Sequence, residues 1–217
     1  MILNVYKPTG CTSFYMVKNI RRIMNEKKVG HGGTLDPFAE GVLIIGTGKD
    51  TKKLTDITNE NKTYDAELKL GELTNTLDPE GFVIEKKKVP RLDKKKINNV
   101  LESFLGNSFQ IPPMFSAKKV NGQKLYELAR QNIEIKREPI QICIDFIKLM
   151  DFKDNIISFS VKCSKGTYIR VLGKDIAEKL NTVGSLISLK RTSVGSFSIN
   201  DAIRMETLES EWKSLGN

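Results

Sequence analysis

Two runs of strand-forming residues, Ile140 to Phe152 and Ile156 to Cys163, stand on either side of Asp154-Asn155. A polar connection this short makes a hairpin, so the two runs pair antiparallel and set the character of the sheet. Other strand signals extend it. Lys62 to Leu70 alternates, with Tyr64, Ala66, Leu68 and Leu70 on one face, while Ile2 to Tyr6 is a short strand, Val42 to Ile45 a buried one and Leu186 to Val194 a final core strand. Helical spacing recurs between them. Thr12 or Ser13 caps a helix with Val17, Ile20, Ile23 and Met24 inward; Asp93 caps another with Ile97, Val100, Leu101 and Phe104 inward and Gly106 as its stop; a third carries Ile169, Leu172, Ile176 and Leu180. Strands joined both by hairpins and by helices give an α+β fold, a mixed, mainly antiparallel central sheet flanked by helices. The 217 residues suit one catalytic-sized domain.

Composition narrows the function. Thirty-five Lys and Arg against 26 Asp and Glu leave a formal charge of +9, which suits a polyanionic partner and equally suits a surface of solvated lysines. A single histidine excludes every metal site that needs a His pair, and Cys11, Cys143 and Cys163 form no C-x-x-C, so no metal is expected and a reducing compartment is. The start MILNVYKPTGC lacks the pattern of a secretion signal, and no apolar run approaches the roughly 18 residues that span a bilayer. A soluble, cytoplasmic protein is the expectation. Two glycine-rich stretches fail as nucleotide loops: the third glycine of a dinucleotide fingerprint starting at Gly30 falls on Leu35, and the first glycine of a phosphate loop ending at Gly48-Lys49 falls on Leu43, with Asp50 where Ser or Thr is required. No nucleotide cofactor is expected.

The segment Val29 to Gly41 is too rich in glycine for an element interior and reads as a shaped loop. At its centre, Asp36 precedes Pro37. That pair is an ideal helix N-cap followed by a first helical proline, yet it also stands in a loop that lets a ligand approach closely, next to the chain's one histidine. Both readings stay open on the residues alone. Taken singly, His31 is a hydrogen-bonded loop histidine, Tyr64 a core aromatic and Arg170 an ion-pair or helix residue.

The segment Gly30-His31-Gly32-Gly33-Thr34-Leu35-Asp36-Pro37-Phe38-Ala39-Glu40-Gly41 resembles the catalytic segment of the TruB family of tRNA pseudouridine-55 synthases, whose core is G-x-L-D-P-x-A-x-G. Further segments resemble the family in the same order: Asn4-Val5-Tyr6-Lys7-Pro8-x-Gly10-x-Thr12-Ser13, Lys62-Thr63-Tyr64, Gln110-Ile111-Pro112-Pro113-Met114-Phe115-Ser116-Ala117-Lys118-Lys119, Gly122-x-x-Leu125-Tyr126-x-x-Ala129-Arg130, Cys163-Ser164-Lys165-Gly166-Thr167-Tyr168-Ile169-Arg170, and Leu189-x-Arg191-Thr192-x-x-Gly195-x-Phe197. Two residues depart from the family pattern, Asn75 where an aspartate is usual and Phe115 where a tyrosine is.

The resemblance implies a pseudouridine synthase fold and isomerisation of uridine in the tRNA T-loop, with no cofactor. It implies Asp36 as the catalytic carboxylate, Arg170 as the guanidinium that keeps it ionised, and Tyr64 as the aromatic that stacks on the target base. It implies RNA contacts for His31, Lys7, Lys118, Lys119, Arg130 and Tyr168. A single catalytic domain over 1–217, an RNA-clamping insertion at about 107–139, no C-terminal PUA-type domain, tRNA as partner and a monomeric state complete the expectation. The alternative is a tRNA-binding folding factor without catalysis.

Overall fold

The computed structural model describes residues 1–120, 122–131 and 133–214. In chain order its elements are β1 (Ile2–Lys7), α1 (Ser13–Met24), β2 (Val29–His31), β3 (Glu40–Thr47), a 3₁₀ turn (Gly48–Lys53), α2 (Leu54–Asn59), β4 (Lys62–Leu70), β5 (Glu72–Thr74), β6 (Val83–Lys86), α3 (Lys94–Glu102), β7 (Gly106–Gln110), β8 (Lys119–Val120), β9 (Gln123–Lys124), α4 (Leu125–Arg130), β10 (Ile140–Lys153), β11 (Ile156–Cys163), α5 (Ile169–Lys179), β12 (Gly184–Val194), β13 (Phe197–Ser198), a 3₁₀ turn (Ile199–Asp201) and α6 (Met205–Ser214). They form two compact units, residues 1–64 with 189–217 and residues 65–188, and the boundary falls inside β4 and β12.

In the first unit, β3 pairs antiparallel with β1, from Ile2↔Gly46 to Lys7↔Gly41, and with β2. Its other partner is β12, in parallel at Lys190↔Glu40 and Arg191↔Gly41. Side chains alternate along β3, so Leu43 and Ile45 enter one apolar cluster with Val5, Val17, Ile20 and Leu208 while Val42 and Ile44 enter another with Leu54 and Val194. Burial on both faces is why this strand is a continuous apolar run rather than an alternating one. Thr12 caps α1 by accepting from the Tyr15 amide at 3.0 Å, and Asn25, in the left-handed region at φ 48°, ends the helix. Two expectations need correction here. Val29–His31 is a strand rather than the start of the loop, and Leu186 to Val194 is followed by β13 and α6, whose Leu208 is buried in the core.

The second unit holds the sheet order β12-β4-β11-β10-β7. The expected hairpin is present: β10 pairs antiparallel with β11 down to Lys153↔Ile156, and Asp154 and Asn155 both take positive φ, 51° and 62°, to turn the chain. Ile157, Phe159, Val161 and Cys163 fill the buried face of β11, and Ala66, Leu68 and Leu70 that of β4. Asp93 caps α3 by accepting from the Lys96 amide at 2.7 Å, with Ile97 and Leu101 buried. Gly106 does not stop that helix, which already ends at Glu102; at φ 88° it opens β7. Of the segment 107–139, the first residues therefore belong to β7, which pairs with β10. The rest carries the β8-β9 hairpin and α4, anchored by buried Leu125 and Leu128.

Candidate active site

The loop between β2 and β3 carries Asp36. The Gly32 amide donates to the Ile44 carbonyl at 2.8 Å and Gly33 reverses the chain at φ 96°. From Asp36 the backbone makes one turn, in which the Ala39 amide donates to the Asp36 carbonyl at 3.1 Å, and β3 begins at the next residue. Pro37 takes the second position of that turn, which its fixed φ suits. No helix starts here, so the N-cap reading of Asp36 fails. The half-buried Asp36 carboxyl is not spent on a helix terminus.

The loop is fastened at successive residues. Ser13, the first residue of α1, donates its hydroxyl to the Leu35 carbonyl at 3.1 Å and accepts from the Leu35 amide at 2.9 Å. On the other side of Asp36, the Pro37 carbonyl accepts from the Gly10 amide at 2.8 Å and from Lys7 Nζ at 3.4 Å. Lys7 also donates to the carbonyls of Pro8 at 2.9 Å and Cys11 at 2.8 Å, and it is 0% exposed. The Lys7 ammonium, expected at an RNA contact, is thus held by main-chain carbonyls inside the unit. Arg191, 1% exposed, donates to the carbonyls of Val42 at 2.7 Å, Gly33 at 3.2 Å and Thr34 at 3.5 Å. Sequence reasoning missed Ser13 and Arg191 as loop anchors, although both stand inside segments that resemble the family and Ser13 is also a candidate helix cap.

His31 is half-buried at the end of β2. Burial pushes its pKa down and the Arg191 charge pushes it further, while its Nδ1 is buried without a hydrogen-bond partner. Such an imidazole is neutral at physiological pH. Also in the first unit, the Tyr6 hydroxyl donates to Glu40 at 2.5 Å, Lys190 pairs with Glu40 at 2.8 Å, and Arg204 lies over the Tyr6 ring at 4.7 Å. Tyr64, on the buried face of β4, is 9% exposed.

In the second unit Arg170 stands in the first turn of α5, 4% exposed. It pairs with Asp78 at 3.2 Å and donates to the carbonyls of Thr76 and Phe115, each at 2.8 Å. Asp78 is itself buried and also accepts from the Thr76 hydroxyl at 2.5 Å and the Glu80 amide at 3.0 Å. Sequence reasoning did not single out Asp78; the available signal was an acid three residues before Gly81. Asn75 closes the same loop, its side-chain carbonyl accepting from the Phe82 amide at 3.1 Å. Buried Gln110 grips the residue before α5, accepting from the Tyr168 amide at 2.8 Å and donating to the Tyr168 carbonyl at 3.1 Å, with the Tyr168 ring half-buried.

Lys119 and Arg130 are exposed and Lys118 is half-buried. Tyr126 is flanked by cations, Lys124 at 5.3 Å and Arg130 at 5.4 Å from its ring centre. The second unit also has an open groove of about 770 Å³ lined by Phe109, Ile111, Met114, Arg137, Lys174 and Asp175 among others, where burial pushes the Asp175 carboxyl up. No group of His, Cys, Asp and Glu among the described residues has the arrangement of a metal site.

Comparison with known proteins sets these features in context. Residues 21–169 match the model of the TruB family pseudouridylate synthase, N-terminal domain. A Clostridium kluyveri protein named tRNA pseudouridine synthase B is 49% identical over 210 residues, which are 97% of this chain and 72% of that protein. One of the same name from Clostridium acetobutylicum is 46% identical, again over 97% of this chain and 72% of its own. A solved Cbf5-Nop10-Gar1 complex contains a chain that superposes with a TM-score of 0.78 at 27% identity, all of this chain covering 56% of that one. An H/ACA RNP bound to a substrate RNA containing 2'-deoxyuridine gives 0.73 at 25% identity, with 55% of its chain covered.

Proposed function

Because the chain belongs to the TruB family of pseudouridylate synthases, we propose that it isomerises uridine to pseudouridine at position 55, in the T-loop of tRNA, with Asp36 as the catalytic carboxylate. The observation that carries this reading is the Asp36 loop itself: an acid followed by a turn instead of a helix, with Leu35 and Pro37 on either side of it both tied down.

The reaction breaks the N1–C1′ glycosidic bond, turns the uracil and joins its C5 to C1′. C5 gives up a proton and N1 gains one. The product is an isomer of the substrate, so no electrons or groups are exchanged with a cofactor. Breaking the glycosidic bond builds positive charge on the sugar, which a neighbouring carboxylate stabilises, attacks, or relieves by taking a sugar proton. Arg170, buried and always charged, supplies the guanidinium that keeps a carboxylate ionised against burial. Tyr64 stacks on the base. The uridine leaves its stack at a cost of roughly a few kcal/mol, and neutral His31 supports the displaced RNA rather than exchanging protons with it. Tyr168, Lys118, Lys119 and Arg130 contact the RNA, the cations through phosphates. The protein acts as a monomer in the cytoplasm; among the described residues no helix is long and apolar enough to cross a membrane.

The test is incubation with T-arm RNA and mapping of pseudouridine. Product from the wild type and none from Asp36→Asn supports the reading. A wild type that makes none, or an undiminished Asp36→Asn, overturns it; remodelling of tRNA without product establishes the folding factor instead.

A further inference from the structure

Asp36 sits between two stretches of main chain held by buried cations, Arg191 before it and Lys7 after it. Resting on the reading of Asp36 as the catalytic carboxylate, we infer that Arg191 is a positioning residue for the reaction, fixing the entry to the loop so that the carboxylate meets the sugar in one geometry. Its three acceptors are all main-chain carbonyls, those of Gly33 and Thr34 just before Asp36 and that of Val42 just after the loop has joined β3. A guanidinium buried against carbonyls alone is an expensive group to keep for packing, because carbonyl dipoles replace its hydration only in part. What it does here is tie both ends of the loop to one rigid fork.

The backbone is shaped to admit it. Gly41 has φ 110°, and a Cβ there would lie 2.2 Å from the Arg191 carbonyl oxygen, so only glycine lets β3 and β12 approach this closely at the point where the side chain turns inward. Gly33, whose φ is 96°, gives the entry no stiffness of its own. Ser13 holds Leu35, and Gly10 with Lys7 holds Pro37. The fork of Arg191 reaches the residues before these, Gly33 and Thr34, and links them to β3.

The test compares Arg191→Lys and Arg191→Met with wild type in single-turnover reactions on T-arm RNA, beside RNA affinity and amide hydrogen exchange of residues 33–39. The expected result is a loss of about a hundredfold in kcat, the size a misplaced reacting group costs, with RNA affinity within about threefold and faster exchange in the loop. Arg191→Lys recovers part of the loss, since an ammonium reaches some of the carbonyls without the fork. A folded Arg191→Met with wild-type kcat, or a defect confined to affinity, overturns the inference. Should Arg191→Met not fold, Arg191→Lys decides by the same measurements. If the wild type makes no pseudouridine, the proposed function falls while the exchange data still decide whether Arg191 holds the loop; unchanged exchange overturns it.

Discussion

Lys7 and His31 show how burial redirects a residue type. A lysine is seldom enclosed, and the carbonyls that enclose Lys7 include that of Pro37, thirty residues away, so its sequence could not distinguish an internal anchor from an RNA contact. Replacing it by methionine removes three charge-assisted hydrogen bonds from a fully enclosed ammonium, so Lys7→Met is expected to lose about 2–3 kcal/mol in urea unfolding; a loss below about 1 kcal/mol would mean the ammonium anchors nothing. His31 titrates the other way. Its folded-state pKa lies below the ordinary 6.5, so just below that pH the unfolded chain takes up a proton that the folded chain refuses. Stability therefore falls as pH drops from about 6.5, and His31→Gln removes that slope; denaturation at pH 7 and pH 5.5 measures both. Asp36 was readable only as far as two alternatives. Both begin with Asp-Pro, and what separates them is whether the chain after Pro37 continues as a helix or joins β3, a tertiary outcome.

At the scale of elements, local chemistry was legible and borrowed structure was not. The β10-β11 hairpin and the caps Thr12 and Asp93 depend on neighbours in sequence, and all three form where the residues place them. By contrast β2 and β13, three and two residues long, exist only through pairing with β3 and β12, and α6 contributes a single buried residue to announce itself. Gly106 looked like a helix stop because a glycine after an amphipathic run usually is one; here its positive φ starts a strand instead. The hairpin turn gives a direct check. With both turn residues in the left-handed region and glycine favoured at the second, Asn155→Gly is expected to raise stability in urea unfolding, and a decrease would show that the Asn155 side chain itself holds the turn. Asp93→Ala is expected to cost about 1 kcal/mol by the same measurement, as the Lys96 amide loses its acceptor.

For the molecule as a whole, the division into two units left no trace in composition, because it passes through β4 and β12 and not through a polar linker. The charge of +9 was legible, but composition gives it no location and only the family resemblance assigns Lys7, Lys118, Lys119 and Arg130 to RNA. Structure separates its parts. Lys86 is already paired with Glu72 at 2.8 Å, a carboxylate that hydrogen bonds from Lys69 and Lys86 hold down to about 2, whereas Lys119 and Arg130 are exposed beside the β8-β9 hairpin and α4. If the second pair grips phosphates, each contact releases counterions on binding. The logarithm of the tRNA association constant should then fall linearly with the logarithm of salt concentration, and Lys119→Gln and Arg130→Gln should each make that slope shallower by about 0.7–0.9. Weakening should be uniform across RNA sequences, since a phosphate contact reads no base. Lys86→Gln removes the same formal charge from a lysine that already shares Glu72 with Lys69, so it serves as the comparison: its slope should change less than theirs. Equal slopes for all the variants would place the RNA-facing charge elsewhere and remove the clamping role from Lys119 and Arg130.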